Sequence, residues 1–201
     1  MLAQSQGYLQ GNVPAGGFSD VVWSLKDDAL VATDVPAVLY AAELAKSVAA
    51  DAVRIAPSSV AARSALAAAN LAEAKLIEDS IAAGDDSTAD MGSVAAELKI
   101  AAIASGVDSM RTALATGVVE SMPELAVGAI DSMAETEVID DIQRSSLVEA
   151  LSSTDKRVRY AAAEALVRAS SGADVPSLSG VVAALGEAVT EERVNVIHVI
   201  A

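Results

Sequence analysis

Apolar residues recur at helical spacing through most of this chain, and short polar breaks separate the apolar stretches. Asp34 followed by Pro36 is typical of a helix start, because an acidic cap accepts hydrogen bonds from free amides and proline fits the first turn. The pattern predicts a helix from there to about Ile55. A second, longer helix is predicted from Ser58 to the stop at Gly84.

Shorter helices at closer spacing follow an acidic linker over residues 85–90. The predicted helices span about 93–105, 107–119, 123–134, 138–152, 156–170 and 176–189. Helices of about 12 to 15 residues joined by very short turns typically form antiparallel pairs, the building block of α-solenoids.

The first part of the chain has a different pattern. Residues 1–17 are rich in Gln, Gly and Ser and are predicted to form a tail or loop. A short helix is expected to follow, with Ser19 or Asp20 near its start and Val22, Trp23 and Leu25 on its apolar side.

Composition favours helices throughout. The hydrophobic fraction is 53%, with alanine the dominant residue, while aromatic residues make up only 2%. Alanine is the best helix former, whereas strand-rich proteins depend on aromatic and β-branched residues. The predicted fold class is all-α, an α-solenoid of antiparallel helix pairs.

The clearest repeat unit spans residues 147–166. Its first helix ends at Leu151, and Asp155 stands at the turn, where it can cap the second helix. Val158, Ala162 and Leu166 follow at positions i, i+4 and i+8, which places them on one buried stripe.

This unit resembles a short HEAT-like repeat of the type also found in bilin-lyase-related proteins. The resemblance rests on the leucine-ended first helix, the turn aspartate, Val158-Arg159, the paired alanines and the closing leucine. It implies a structural role for Asp155 and Arg159. In the family, the arginine at this position bonds to a neighbouring turn aspartate and forms a ladder along the stack.

Partial copies of the unit occur elsewhere in the chain. Leu125, Ala129 and Met133 stand 33 positions before the three stripe residues, and residues 38–42 echo residues 158–162. We therefore interpret 93–190 as HEAT-like repeats. Residues 18–84 are interpreted as an irregular helical repeat, or a tetratricopeptide-like one, because the helix from Ser58 is longer than a HEAT helix.

Residues 194–201 form a near-continuous run of valine and isoleucine, which favours a buried strand. The run resembles the opening strand of a receiver or another doubly wound α/β domain. It predicts that the chain is the N-terminal part of a longer protein, and the strand could also mediate self-association. A terminal repeat helix is the alternative.

The charge balance limits the kind of partner. The net charge is −15, from 28 acidic and 13 basic residues. Nucleic-acid binders and proteins of anionic membrane surfaces show basic patches instead, so neither partner is expected. A protein partner with a basic face is expected instead. No membrane-spanning run or signal peptide is predicted, and the expected location is the cytoplasm.

The sequence offers few residues for chemistry. There is no cysteine, and the single histidine, His198, stands in the apolar terminal run, so no nucleophile and base can be paired. No phosphate-binding glycine motif is present. We expect no enzymatic activity and no cofactor.

One stretch has the spacing of a calcium loop. Asp86, Thr88, Asp90 and Glu97 fall at the first, third, fifth and twelfth positions of such a loop. However, Met91 occupies the sixth position, where the sharp turn needs glycine. An ordinary solvated loop is the alternative interpretation.

These observations predict a non-enzymatic scaffold that contacts another protein and regulates an attached signalling domain. Two alternatives stay open. The first is a bilin-lyase-like chaperone, which would need an apolar cleft containing aromatic side chains. The second is a purely structural spacer.

Overall fold

Helices account for most of the protein in the computed structural model, which describes residues 1–13, 21–26, 29–135, 141–170 and 175–191. The side chains of residues 25, 26, 142 and 143 are not among those described. Within these ranges the α-helices are α1 (Leu2–Leu9), α2 (Tyr40–Ile55), α3 (Val60–Ala82), α4 (Gly92–Ala104), α5 (Val107–Val119), α6 (Pro123–Ala134), α7 (Asp141–Ala150), α8 (Lys156–Ser170) and α9 (Leu178–Thr190). The predominantly helical prediction is confirmed.

Most predicted helix bounds agree with the structure, and α5, α6 and α8 coincide with their predicted ranges. The start of α2 differs, because Pro36 caps a 3-10 helix over Ala37–Leu39 and the α-helix begins only at Tyr40. The long helix α3 begins after Ser59, whose Oγ accepts a hydrogen bond of 3.2 Å from the backbone N–H of Ala62.

The N-terminal predictions need two corrections. Residues 2–9, predicted as a tail or loop, form helix α1. The short helix predicted around Val22 and Trp23 is wrong, because β1 (Val21–Lys26) pairs antiparallel with β2 (Ala29–Asp34) as a hairpin. β-branched and aromatic side chains favour the extended backbone there, so the fold is helical with a small two-stranded sheet rather than all-α.

Helix α3 lies at the centre of the N-terminal half. It contacts α1, α2, α4, α5 and α6, and its buried residues lie all around its circumference. Leu71 near its middle is 0% exposed. A helix that buries residues on every side has to be enclosed by other helices, which explains the central position of α3.

The second half is built from consecutive helical hairpins. α5 packs against α6 and α7 against α8, while α6 also contacts α8, α5 contacts α7, and α9 continues against α8. The stripe residues of both predicted repeat copies lie in the same hydrophobic core: Leu125, Ala129, Met133, Val158, Ala162 and Leu166.

Close helix approach depends on two glycines in this half. A Cβ at Gly117 would lie 2.7 Å from the backbone nitrogen of Ala126, and one at Gly128 would lie 2.9 Å from the carbonyl oxygen of Leu71. Gly117 therefore lets α5 approach α6, and Gly128 lets α6 approach α3.

None of the described helices is both long and apolar enough to cross a membrane. The predicted terminal strand over 194–201, His198 within it, and Ser19 and Asp20 lie outside the described residues.

Candidate functional site

An open groove of about 460 Å³ lies between helices α1, α3 and α5. Small-molecule and peptide sites in proteins have volumes of this order. Among the residues that the structure describes, no charged side chain lines the groove, and Met122, in the turn between α5 and α6, closes part of it. Its volume and its largely apolar lining make this groove the candidate site.

Helix α1 forms one wall of the groove. Leu2, Ser5, Gln6 and Leu9 line it, at spacings that put all four on one face of the helix. Ser5 is buried and donates a hydrogen bond of 2.9 Å from its Oγ to the carbonyl oxygen of Ala45 in α2. This bond fixes the wall to the rest of the fold.

Helix α3 supplies the floor, mainly through alanines. Ala61, Ala65 and Ala68 lie there with Val60 and Ser64. Because alanine has no side chain beyond Cβ, another helix could approach this surface closely.

Helix α5 forms the opposite wall with Thr112, Ala113 and Thr116. Thr112 Oγ1 donates 2.7 Å to the carbonyl oxygen of Asp108, and Ser64 Oγ in the floor lies 3.5 Å from Ser109 Oγ. The bonded hydroxyls of Ser5 and Thr112 add little polarity to a lining that consists mainly of alanine, leucine, valine and methionine, which suits the binding of apolar side chains.

Sequence reasoning missed this site because it assigned residues 1–17 to a loop. The available signal was the seven-residue spacing of Leu2 and Leu9, which puts both on one helix face. Gln and Gly residues between them weakened the pattern.

The repeat residues lie at the hairpin stack, away from the groove. The Asp155 Oδ1 accepts 2.8 Å from the backbone N–H of Arg157 and caps α8 as the turn position suggested. Burial tends to raise the pKa of Asp155, but the hydrogen bonds and charge of Arg157 outweigh it and hold the pKa below its ordinary value. Val158, Ala162 and Leu166 are all buried.

Arg159 has other partners than the resemblance implies. Its guanidinium donates to both carboxylate oxygens of Glu187 in α9, at 2.6 and 2.7 Å, and to the carbonyl oxygens of Ser153 and Thr154. Arg159 therefore links α8 to α9 and to the turn that precedes α8.

Arg157 makes the contact between α8 and α6 instead. Its guanidinium lies 2.9 Å from the Glu124 Oε1 and 3.2 Å from the Asp155 Oδ2. Glu124 and Arg157 are 33 positions apart, the same offset that separates the two buried stripes. Each residue of the ion pair therefore stands directly before the first stripe residue of its helix, Leu125 in α6 and Val158 in α8.

The calcium-loop candidates are not brought together. Thr88 is buried and donates from Oγ1 to the carbonyl oxygen of Asp85, while Asp86 and Asp90 are exposed in the turn and Glu97 is exposed in α4. Asp85 organises the turn by accepting from the Ser87 N–H at 2.9 Å. Across the described ranges, no three His, Cys, Asp or Glu residues stand close enough to hold a metal ion.

A buried charge cluster joins α2 to α3. Lys46 Nζ lies 2.9 Å from the Glu73 Oε1 and also contacts Glu43. Burial raises the pKa of Glu73 to about 7, although the hydrogen bond and charge of Lys46 act in the opposite direction. Burial lowers the pKa of Lys46, but its two carboxylate partners outweigh that effect and raise it overall.

Comparisons with protein-family models, curated proteins and solved structures find no match to this chain. Its function therefore has to be argued from the surfaces described above.

Proposed function

We propose that this protein is a non-enzymatic interaction module whose groove between α1, α3 and α5 receives the apolar face of a partner helix. The groove itself is the observation that carries the proposal. It is open and about 460 Å³ in volume, and none of the described residues that line it is charged. Grooves of this kind accept the apolar side chains of an amphipathic helix at positions i, i+3 or i+4 and i+7.

The charge of the chain selects among possible partners. With a net charge of −15, the protein attracts basic molecules over several ångströms and repels acidic ones. A partner helix that is apolar on one side and basic on the other could place its apolar side in the groove, and its basic side would be attracted by the negative charge of the protein. We propose a helix of this chemistry as the occupant.

The hairpins from α5 onwards are proposed to be a HEAT-like stack that extends this surface. Support comes from the 33-residue offset, which relates both the buried stripes and the Arg157–Glu124 ion pair. The regulation of an attached signalling domain stays a prediction, since it depends on residues 194–201.

The bilin-lyase-like alternative gains nothing from the groove, because none of the described residues that line it is aromatic. A chromophore of that size would need aromatic faces for stacking.

A direct test measures the binding of a four-turn amphipathic peptide of leucine and lysine to the full chain by fluorescence anisotropy. We expect saturable binding that Ala61→Phe weakens at least tenfold, because a ring at this exposed floor position fills the groove. The matched control is Ala101→Phe, an equally exposed alanine on α4, outside the groove. It should bind like the parent protein.

If Ala61→Phe and Ala101→Phe bind the peptide equally strongly, the attraction is due to charge alone, and the proposed binding in the groove is refuted. The complete absence of binding would favour the structural spacer instead.

A further inference from the structure

The β-hairpin of β1 and β2 presents an open strand edge to solvent. β1 contacts α2, and its Val22 is only 5% exposed, so this strand joins the hairpin to the helices. All six residues of β2 are exposed, and across the described ranges β2 pairs with β1 alone. One row of β2 backbone N–H and C=O groups is therefore available to another strand.

One face of the hairpin is apolar as well. Trp23 lies opposite Ala32, and Leu30 shares their face because side chains alternate along a strand. Trp23 is 60% and Leu30 71% exposed. Exposed tryptophan is the residue type most enriched where protein surfaces bind each other strongly.

β2 has little of the usual protection of an edge strand. Proteins shield such edges with charged side chains, above all lysine, with proline or with a β-bulge, and the single charged residue of β2 is Asp34 at its end. β2 contains neither lysine nor proline, and its six residues pair with β1 in an uninterrupted register. A two-stranded sheet is also marginally stable in water, so a third strand would stabilise it.

Charge identifies the chemistry of that third strand. The sequence from residue 20 to residue 34 contains four aspartates and one lysine, and the whole chain carries −15. A second copy of the chain would bring the same negative charge to the edge. An extended segment rich in lysine or arginine brings the opposite charge, and it would add its backbone hydrogen bonds to the electrostatic attraction.

We propose that β2 is a docking edge for an extended basic segment of a partner protein, which adds a third strand beside Ala29–Asp34. Backbone hydrogen bonds to β2 hold the segment, and its apolar side chains lie beside Leu30 and Ala32. This site is separate from the groove, and neither proposal depends on the other.

The test uses an eight-residue peptide of alternating lysine and valine, blocked at both ends, and the full chain. Isothermal titration calorimetry should show one saturable site, and hydrogen exchange followed by NMR should show new protection of β2 amides. Leu30→Lys should weaken binding at least tenfold. Leu30 is largely exposed, so this variant should keep the parent circular dichroism spectrum.

Three controls separate strand addition from simple attraction of charge. Val189→Lys places the same charge on an exposed valine of α9 and should leave binding unchanged. A peptide of the same sequence, N-methylated at its four central residues, should not bind, because it lacks the backbone donors. Ala61→Phe, which fills the groove, should bind the peptide normally.

Two results would overturn the proposal. One is equal binding of the methylated and unmethylated peptides. The other is sedimentation of the chain alone as a dimer that Leu30→Lys dissociates, which would make a second copy the occupant of the edge.

Discussion

Glu73 places a carboxylate at the interface of α2 and α3, where its residue is only 2% exposed. The charged groups that face it are Lys46 and Glu43, both on α2. Removing a carboxylate from water is costly, and one ammonium shared by two carboxylates offsets that cost incompletely. The folded protein therefore binds a proton at Glu73 more tightly than the unfolded chain does.

We predict a specific pH dependence of stability from this group. The pKa of Glu73 is raised to about 7 in the folded state, so its contribution is most favourable below the ordinary carboxyl pKa and is lost as pH rises towards 7. The free energy of unfolding of the parent, minus that of Glu73→Gln, should fall by roughly 1–3 kcal/mol between about pH 5 and pH 8. Urea denaturation of both proteins measures the difference.

Glutamine keeps the shape of the side chain and does not titrate, so the contributions of groups that do not interact with Glu73 cancel in this difference. Parallel stability curves for the two proteins would show instead that Glu73 stays ionised throughout this range, paired with Lys46.

At the scale of elements, the packing of helices depends on small residues where backbones approach. Gly128 faces the carbonyl oxygen of Leu71 in α3, whereas Gly186 in α9 has no atom near the position of an added Cβ. Both glycines lie within helices, where alanine is intrinsically the better residue by about 1 kcal/mol. They therefore form a matched pair.

We predict opposite effects for alanine at these two positions. Gly128→Ala should lower the free energy of unfolding by about 1–3 kcal/mol, because α6 and α3 must move apart. Gly186→Ala should leave it unchanged or raise it by up to about 1 kcal/mol. Thermal melting of both variants tests this, and a stabilised Gly128→Ala would contradict the close approach of α6 to α3.

For the whole molecule, the position of α3 decides how the two halves are coupled. In a repeat array each unit contacts only its neighbours, and separate parts can unfold separately. Here α3 contacts helices of both halves, and the main core extends from α3 to α9 without interruption. Loss of α3 would therefore expose core residues in both halves.

Accordingly, we predict a single cooperative unfolding transition. The calorimetric enthalpy should equal the van't Hoff enthalpy, and circular dichroism should show one step. Leu71→Ala should shift that step as a whole, because it removes a fully buried side chain from α3. Two resolved transitions would indicate independent repeats instead.

The sequence by itself determined the helices from α2 onwards and most of their ends. Proline at the start of α6, the Gly106 break and the capping Asp155 are local signals that act within a turn or two, so they can be identified without the fold. The 33-residue offset likewise predicted the buried stripes of α6 and α8, and both stripes lie in one hydrophobic core. The hairpin was missed because the alanine-rich composition outweighed a local β-branched and aromatic pattern at Val21–Trp23.

Only the tertiary structure decided which helices contact each other. The groove and the ion pairs between helices follow from those contacts. Leu2, Ala65 and Thr116 are far apart in sequence and belong to three helices, so no periodicity relates them. Arg157 rather than Arg159 reaches α6 because the rotation of α8 against α6 depends on the packing of both helices. Local patterns determine which face of a helix is apolar, but the neighbour that covers that face depends on how the whole chain packs.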